Sequence, residues 1–281
     1  MSVASYPHVF DKTDLEGIRA CNEQHGFAIV KGMLPQEIVD RLKAEVEQVL
    51  APTFTAGSKL TMSSGNFVES SPTLVNLMTY EPFMAIVRHL HDNESMTLNR
   101  SAAIYKKAGA SGMFWHTDWE PKVHPYRANA VLNTTGAFSC WFYLTGSHPT
   151  NAGLAIIPDS HTEDWPGPEG FAFTRNRTSF HRVGTEPVAY AGMDVPGMMP
   201  IVSEPGDLVI FAERTYHGVN DHHGTESRLS CGLSFRKRSH AVGEHWPLPE
   251  SAKRFIASVP AEVRHLAEDY IGIDSSWVSG S

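Results

Sequence analysis

The chain has 281 residues, of which 41% are hydrophobic and 19% charged, and its formal net charge is −8. That length supports one large folded domain, and an acidic balance argues against a phosphate backbone as the main partner, since nucleic-acid binders usually carry a basic face. Cys21, Cys140 and Cys231 are the only cysteines; they are too scattered for a disulfide framework or a thiolate zinc knuckle. No apolar run approaches the ~18 residues of a membrane span. The N-terminus has no basic stretch followed by an apolar one, so a cytoplasmic protein without a membrane partner is the expectation.

In chain order, Thr13 with Glu16 three residues later forms a capping-box pattern and predicts a helix ending near Gly26. FAIVKGML follows as a short apolar strand. Pro35 then opens a helix whose Ile38, Leu42, Val46, Val49 and Leu50 recur at helical spacing. Helical texture continues from Ser71-Pro72 to about His91. Beyond it the pattern changes to SAAIYKK, GMFWHTD, RANAVLNTT, FSCWFYLTG, AGLAIIP, DLVIFAE and RLSCGLSFRK, which are β-branched and aromatic runs broken by Gly, Pro and Asn. Such short strands separated by turns predict an antiparallel sandwich or barrel. Residues 161–200 read as an irregular, lid-like insertion at its mouth. The tail from Pro249 reads as helical again.

The expectation is therefore a single domain over 1–281. A helical buttress covers 10–92, a β core spans about 97–238 with the insertion 161–200, and a helical tail covers 249–272.

The stretch FWHTDWEP carries the chemistry. In a strand, residues i and i+2 share a face about 6–7 Å apart, so His116 and Asp118 can converge on one cation. A facial triad of two His and one carboxylate binds non-haem Fe(II) and leaves positions open for reaction. His217, at the far end of the strand-like GDLVIFAERTYHGVN, is the best third ligand. Arg228 opens the next strand, eleven residues on. A hairpin would return its guanidinium beside His217, where it can hold a carboxylate through two parallel hydrogen bonds. The plainer alternative for Arg228 is an edge residue with its head in water.

Taken together, His116-Thr-Asp118, NAGLAIIPDSH at 151–161, GDLVIFAERTYHGVN and Arg228 resemble the phytanoyl-CoA dioxygenase (PhyH) family of Fe(II)/2-oxoglutarate-dependent oxygenases. HGFAIVKGMLPQEIVDRLKAEV resembles the N-terminal segment of the same family, and the likeness runs from about residue 10 to about 238. The resemblance implies a mainly β fold with flanking helices, a double-stranded β-helix (jelly-roll, cupin-like) core. It implies Fe(II) held by His116, Asp118 and His217, with 2-oxoglutarate and O2 as cosubstrates and Arg228 on the distal carboxylate of 2-oxoglutarate.

By the same resemblance Trp141 lies near the cosubstrate, or else is a core aromatic, and Met113 and Lys106 face the site. Relatives often carry Ser or Thr two residues after the distal His. Here that position is Val219, and Tyr105 is a candidate to supply the missing hydroxyl.

The implied reaction is hydroxylation, or another oxidation, of a C–H bond in a small polar or anionic metabolite. Trp119, Arg127, Arg175, Arg177 and His181 are the candidate substrate contacts, against the alternative of ordinary solvated loops. Two rival readings remain at this point. One is a zinc or manganese hydrolase or isomerase on the same scaffold. The other is a non-catalytic β-sandwich binding module with structural histidines.

Overall fold

The computed structural model describes residues 5–118, 137–162, 164–175, 177–240 and 247–272. The N-terminal part places β1 (Val9–Asp11), α1 (Leu15–His25), β2 (Phe27–Lys31), α2 (Gln36–Leu50), β3 (Thr61–Gly65), α3 (Pro72–Leu77) and α4 (Glu81–Leu90) in order. The cap of α1 is Asp14, whose side chain accepts from Gly17 N–H, and not Thr13, which is bonded to Asp11. A carboxylate is as good an N-cap acceptor as a hydroxyl and also favours the positive end of the helix dipole.

Among the described residues thirteen strands build the sheets. The later ones are β4 (Met96–Lys106), β5 (Met113–His116), β6 (Ala137–Tyr143), β7 (Leu154–Ile156), β8 (Phe171–Phe173), β9 (Phe180–Arg182), β10 (Met199–Pro200), β11 (Leu208–Ala212), β12 (His217–Val219) and β13 (Arg228–Lys237). The major sheet has the order β1-β2-β11-β6-β13-β4-β3, the minor sheet β10-β7-β12-β5, and β8 pairs with β9 alone. Every pairing is antiparallel except β1 with β2. Helices α5 (Glu250–Ser258) and α6 (Arg264–Ala267) close the described chain. This is the jelly-roll core with flanking helices that the strand pattern and the resemblance predicted.

Period-2 alternation sorts each central strand into two layers. Leu229, Cys231, Leu233 and Phe235 of β13, with Phe138, Cys140 and Phe142 of β6, join the apolar residues of α1, α2 and α4 in one core outside the barrel. Their neighbours Arg228, Ser230, Gly232 and Ser234, with Ser139, Trp141 and Tyr143, lie on the opposite face. Between the sheets, Phe27, Ile29, Tyr143, Leu154, Ile156, Val209 and Phe211 form a second core. Each fully buried side chain of this kind contributes roughly 1.5–3 kcal/mol.

Residues 161–200 are more ordered than the sequence suggested. β8 and β9 carry Phe171, Phe173 and Phe180 into a third, aromatic core with Trp115, Ala155, Ile157 and Tyr216 on the outer side of the minor sheet. The runs are only three residues long, too short for a period to be read. β3, made of Thr, Met, Ser and Gly, was not anticipated for a similar reason. The strand expected at RANAVLNTT lies outside the described residues. No helix among the described residues is long and apolar enough to cross a membrane.

Gly26 ties these layers together. It ends α1 in the left-handed conformation (φ 80°), and its carbonyl accepts from Ala212 N–H at 3.0 Å and Thr215 Oγ1 at 2.7 Å. A Cβ there would meet Thr215 Oγ1 at 2.6 Å and His161 Nδ1 at 2.7 Å. Gly26→Ala should therefore lower the unfolding free energy by about 2 kcal/mol or more, combining a left-handed backbone penalty with overpacking. Urea unfolding would show this as a lower midpoint at constant slope.

Candidate metal and cosubstrate site

β5 and β12 are neighbours in the minor sheet, and their register sets His116 directly opposite His217. The ring centroids are 4.2 Å apart. Asp118 follows two residues beyond His116, and its Oδ1 lies 3.9 Å from His116 Nε2 and 3.7 Å from His217 Nε2. One ligand atom from each residue falls within 4.8 Å of the others. Both imidazoles are oriented from behind in the same way. His116 Nδ1–H donates to Phe114 C=O and His217 Nδ1–H to Thr215 C=O, each at 2.9 Å. This arrangement fixes the tautomer and aims both Nε2 lone pairs inward.

Burial and the neighbouring His217 push the His116 pKa down to about 4, so this ring is neutral and ligand-competent at pH 7. Burial alone would raise the Asp118 carboxyl. The opposing effects of His217, Arg100, His116 and the Ser139 hydroxyl outweigh it and hold Asp118 below the usual carboxylate range.

The turn between β11 and β12 holds His217 in place. Ser160 Oγ, from the PDSH turn, accepts from Tyr216 N–H at 2.9 Å, and Thr215 is tied to Gly26. Asp118 N–H donates to the backbone carbonyl of Glu213 at 2.9 Å. The Glu213 side chain is buried (3% exposed) and its Oε1 accepts from Asn99 Nδ2 (2.9 Å), Ser234 Oγ (3.2 Å) and Arg100 Nη2 (2.8 Å). Arg100 Nη2 also donates to the Asp118 backbone carbonyl at 3.1 Å. Arg100, Asp118, Ser139, Trp141, Gly232 and Ser234 help to line a cavity of ≈ 150 Å³.

Arg228 lies inside the barrel, 2% exposed, and is not at a wet edge. It pairs in register with Lys106, itself 4% exposed. Arg228 Nη1 donates to Ser230 Oγ at 2.6 Å, and the guanidinium sits 5.3 Å from the centre of the Tyr143 ring. Its buried Nε has no hydrogen-bond partner among the described residues. Lys106 Nζ donates to Ser111 C=O at 2.9 Å, and burial, then the Arg228 charge, push its pKa down to about 8. Two buried cations side by side, one with an unused donor, make a cradle for a carboxylate.

The other candidates divide. Trp141 lines the cavity and lies over Gly232, where a Cβ would meet its Cδ2 at 3.0 Å. Met113 pairs with Val219 across β12, beyond a bulge in β5. Tyr105 is a correction. It precedes Lys106 and so points to the opposite face, where it packs edge-on to Phe54 (centroids 5.1 Å apart) within the helix-side core. It supplies no hydroxyl to the barrel interior.

Arg177 is also reassigned. The backbone of its turn borders the site, with Thr178 C=O accepting from Thr117 N–H, but its guanidinium stacks over Phe173 and donates to Trp165 C=O. Arg175 is exposed, and His181 Nδ1 bonds to the Arg182 carbonyl. None of the three lines the described cavity. Trp119 and Arg127 lie outside the described residues.

Sequence reading missed Asn99, Arg100, Ser139 and Glu213. The available signal was charge inside apolar strands: Asn99-Arg100 within MTLNRSAAIYK and Glu213 at the end of DLVIFAE.

Comparison with known proteins fits this geometry. The family model for phytanoyl-CoA dioxygenase (PhyH) matches residues 22–230. An ectoine dioxygenase from Halomonas elongata is 24% identical over 254 residues, covering 85% of this chain and 75% of that one. Among solved structures, HygX from Streptomyces hygroscopicus, with nickel, 2-oxoglutarate and hygromycin B bound, superposes with a TM-score of 0.61 at 15% identity, covering 79% and 87% of the two chains. The epimerase SnoN, in complex with Fe3+, alpha-ketoglutarate and nogalamycin RO, gives 0.57 at 20% identity, covering 79% and 83%. With the model matched over most of its length, the chain belongs to the phytanoyl-CoA dioxygenase (PhyH) family.

Proposed function

We propose that His116, Asp118 and His217 hold the Fe(II) of this non-haem, 2-oxoglutarate-dependent dioxygenase, and that Arg228 with Lys106 takes the distal carboxylate of 2-oxoglutarate. The observation that carries this reading is the convergence of two Nε2 atoms and one carboxylate oxygen, each imidazole locked through Nδ1. The donor set suits Fe(II). The unpartnered Nε of Arg228 suits a carboxylate. Family membership sets aside the hydrolase and binding-module readings.

When bound, Fe(II) with 2-oxoglutarate and O2 supplies a two-electron oxidation coupled to release of succinate and CO2. The chain supplies the rest. The two imidazoles and Asp118 would hold the metal. Arg228 and Lys106 would hold the far carboxylate of the cosubstrate and so orient it in the site. Trp141 and Gly232 give that region an apolar wall that limits water. The cavity beside Asp118, with Ser139, Ser234 and Trp141 on its walls, supports a small polar metabolite as substrate and hydroxylation of one of its C–H bonds as the reaction. Product mass separates the outcomes: hydroxylation adds one oxygen, whereas an epimerisation leaves the mass unchanged.

The reading is tested by anaerobic addition of Fe(II) and 2-oxoglutarate, which should produce a metal-to-ligand charge-transfer band. A metabolite library is then screened for compounds that perturb it. Asp118→Ala should abolish 2-oxoglutarate-dependent O2 consumption; full turnover in that variant would remove Asp118 from the metal. Arg228→Met should weaken 2-oxoglutarate about 30–100-fold through loss of charge-assisted hydrogen bonds, with Fe(II) binding retained.

Affinity should also depend on pH. Lys106 is cationic below its pKa of about 8 and neutral above it. The dissociation constant for 2-oxoglutarate should therefore be flat below pH 8 and rise above it. In Lys106→Arg, whose charge persists, the rise should disappear. Anaerobic calorimetric titration from pH 7 to 9.5 checks this, and a wild-type profile flat throughout would exclude Lys106 from the anchor.

A further inference from the structure

Asp118 lies two residues past the end of β5, where no strand ladder fixes its side chain. Its Oδ1 faces the two imidazoles, while its Oδ2 faces Ser139 Oγ at 3.3 Å and Arg100 Nη2 at 3.9 Å. The same Arg100 Nη2 bonds to the Asp118 carbonyl and to Glu213 Oε1. Glu213 in turn receives Asn99 and Ser234, and its own backbone carbonyl accepts from Asp118 N–H.

The bulge in β4 makes this possible. Leu98 pairs with Phe235 and Arg100 with Ser234, so Asn99 is the extra residue. A bulge re-aims side chains, and here two consecutive polar residues, Asn99 and Arg100, both reach Glu213. Glu213 is four residues before His217, on the same turn. One ion pair, with Glu213 buried and Arg100 partly so, thus links β4, the end of β5 and the β11–β12 turn, which are the segments that bring the carboxylate and the distal His together.

We propose that Arg100 and Glu213 are positioning residues that hold Asp118 for metal binding, steadying its backbone at both N–H and C=O and keeping Oδ1 turned toward His116 and His217. This rests on the reading of His116, Asp118 and His217 as the metal ligands. Neither residue touches the metal; both act through Asp118. Outer partners of this kind orient a ligand before the metal arrives, so their loss lowers metal affinity without removing a ligand. A purely structural ion pair would alter stability and leave metal affinity unchanged in every variant that folds.

The probe is Co(II) added to the full-length apo-protein, with affinity and ligand-field spectrum followed by titration. The key variant is the double Arg100→Met/Glu213→Gln. It leaves no unpaired buried ion, and the amide oxygen still accepts from Asn99 and Ser234. Far-UV circular dichroism and thermal melting establish that it folds. Co(II) affinity should fall about 10–100-fold, with an altered spectrum. At saturating Co(II), affinity for 2-oxoglutarate should stay within about twofold, because its proposed anchor is at the other end of β4.

Arg100→Lys, which keeps the charge next to Glu213 but has no planar fork, should fall between wild type and the double variant. A folded double variant or a folded Arg100→Lys with wild-type affinity and spectrum would overturn the proposal and leave the metal-site reading intact. Failure of the wild-type protein to bind Co(II) would instead sink the metal-site reading itself, and this proposal with it.

Discussion

The site depends on one cross-strand register, His116 opposite His217 in the β5–β12 pair. Side chains alternate along a strand, so a slip of one residue would turn an imidazole to the outer face and replace it with an apolar neighbour. The alternative is visible in the residues on either side. Trp115 points the other way and is fully buried in the aromatic core with Phe180, and its indole N–H donates to the Gly192 carbonyl. That burial stabilises the register. Bringing His116 to the outer face would expose the Trp115 indole to the barrel interior and bury an imidazole among aromatics. The third core, built by β8 and β9, therefore serves the site by holding β5 from behind.

The major sheet completes the barrel by placing charge at its two ends. Along β4, Arg100 and Lys106 are the charged inward residues, with Ala102 and Ile104 between them. Along β13, Ser230, Gly232 and Ser234 continue inward from Arg228. The Arg100 end is paired internally with Glu213 and faces Asp118. The Lys106–Arg228 end has two adjacent cations. Burying like charges side by side is costly, and the low pKa of Lys106 is the signature of that cost. A cation pair of this kind is stabilised by an anion that enters, which agrees with the proposed carboxylate anchor at this end of the barrel. The neutral middle, with Trp141 seated on Gly232, lets the two ends stay electrostatically distinct.

Much of this was legible in the sequence because two simple periods carry it. Strand alternation placed His116 with Asp118, and the apolar run to His217 followed by the return at Arg228 placed the second pair. Legibility failed where the period broke. Alternation back from Lys106 gives Arg100 an inward place, but the bulge at Asn99 puts a second, consecutive residue on the same side, which alternation does not predict. Glu213 sits just past a strand end, where neither period applies. Tyr105 failed for the opposite reason. Its hydroxyl suggests it, but strand alternation turns it away from the face that its neighbour Lys106 occupies. The arginines of residues 161–200 were weighed by charge, but stacking on Phe173 in the case of Arg177 decides where such a side chain lies.

The same alternation bears on Val219, the position where relatives often carry a hydroxyl. His217 and Val219 are two apart on β12 and share a face. A valine there adds apolar surface to the barrel interior and removes one neutral hydrogen-bond donor from the proposed carboxylate anchor. The proposed anchor includes Lys106 of β4, which is a point charge on a flexible stem and not a fixed hydroxyl. A charge-assisted bond is roughly twice as strong as a neutral one, so a buried lysine could compensate for a missing hydroxyl in the proposed anchor. The exchange has a physical consequence. A hydroxyl donates at any ordinary pH, whereas a lysine with a pKa near 8 donates as a cation only below it. If Lys106 anchors the cosubstrate as proposed, that anchoring is tied to proton concentration through the burial that lowers its pKa.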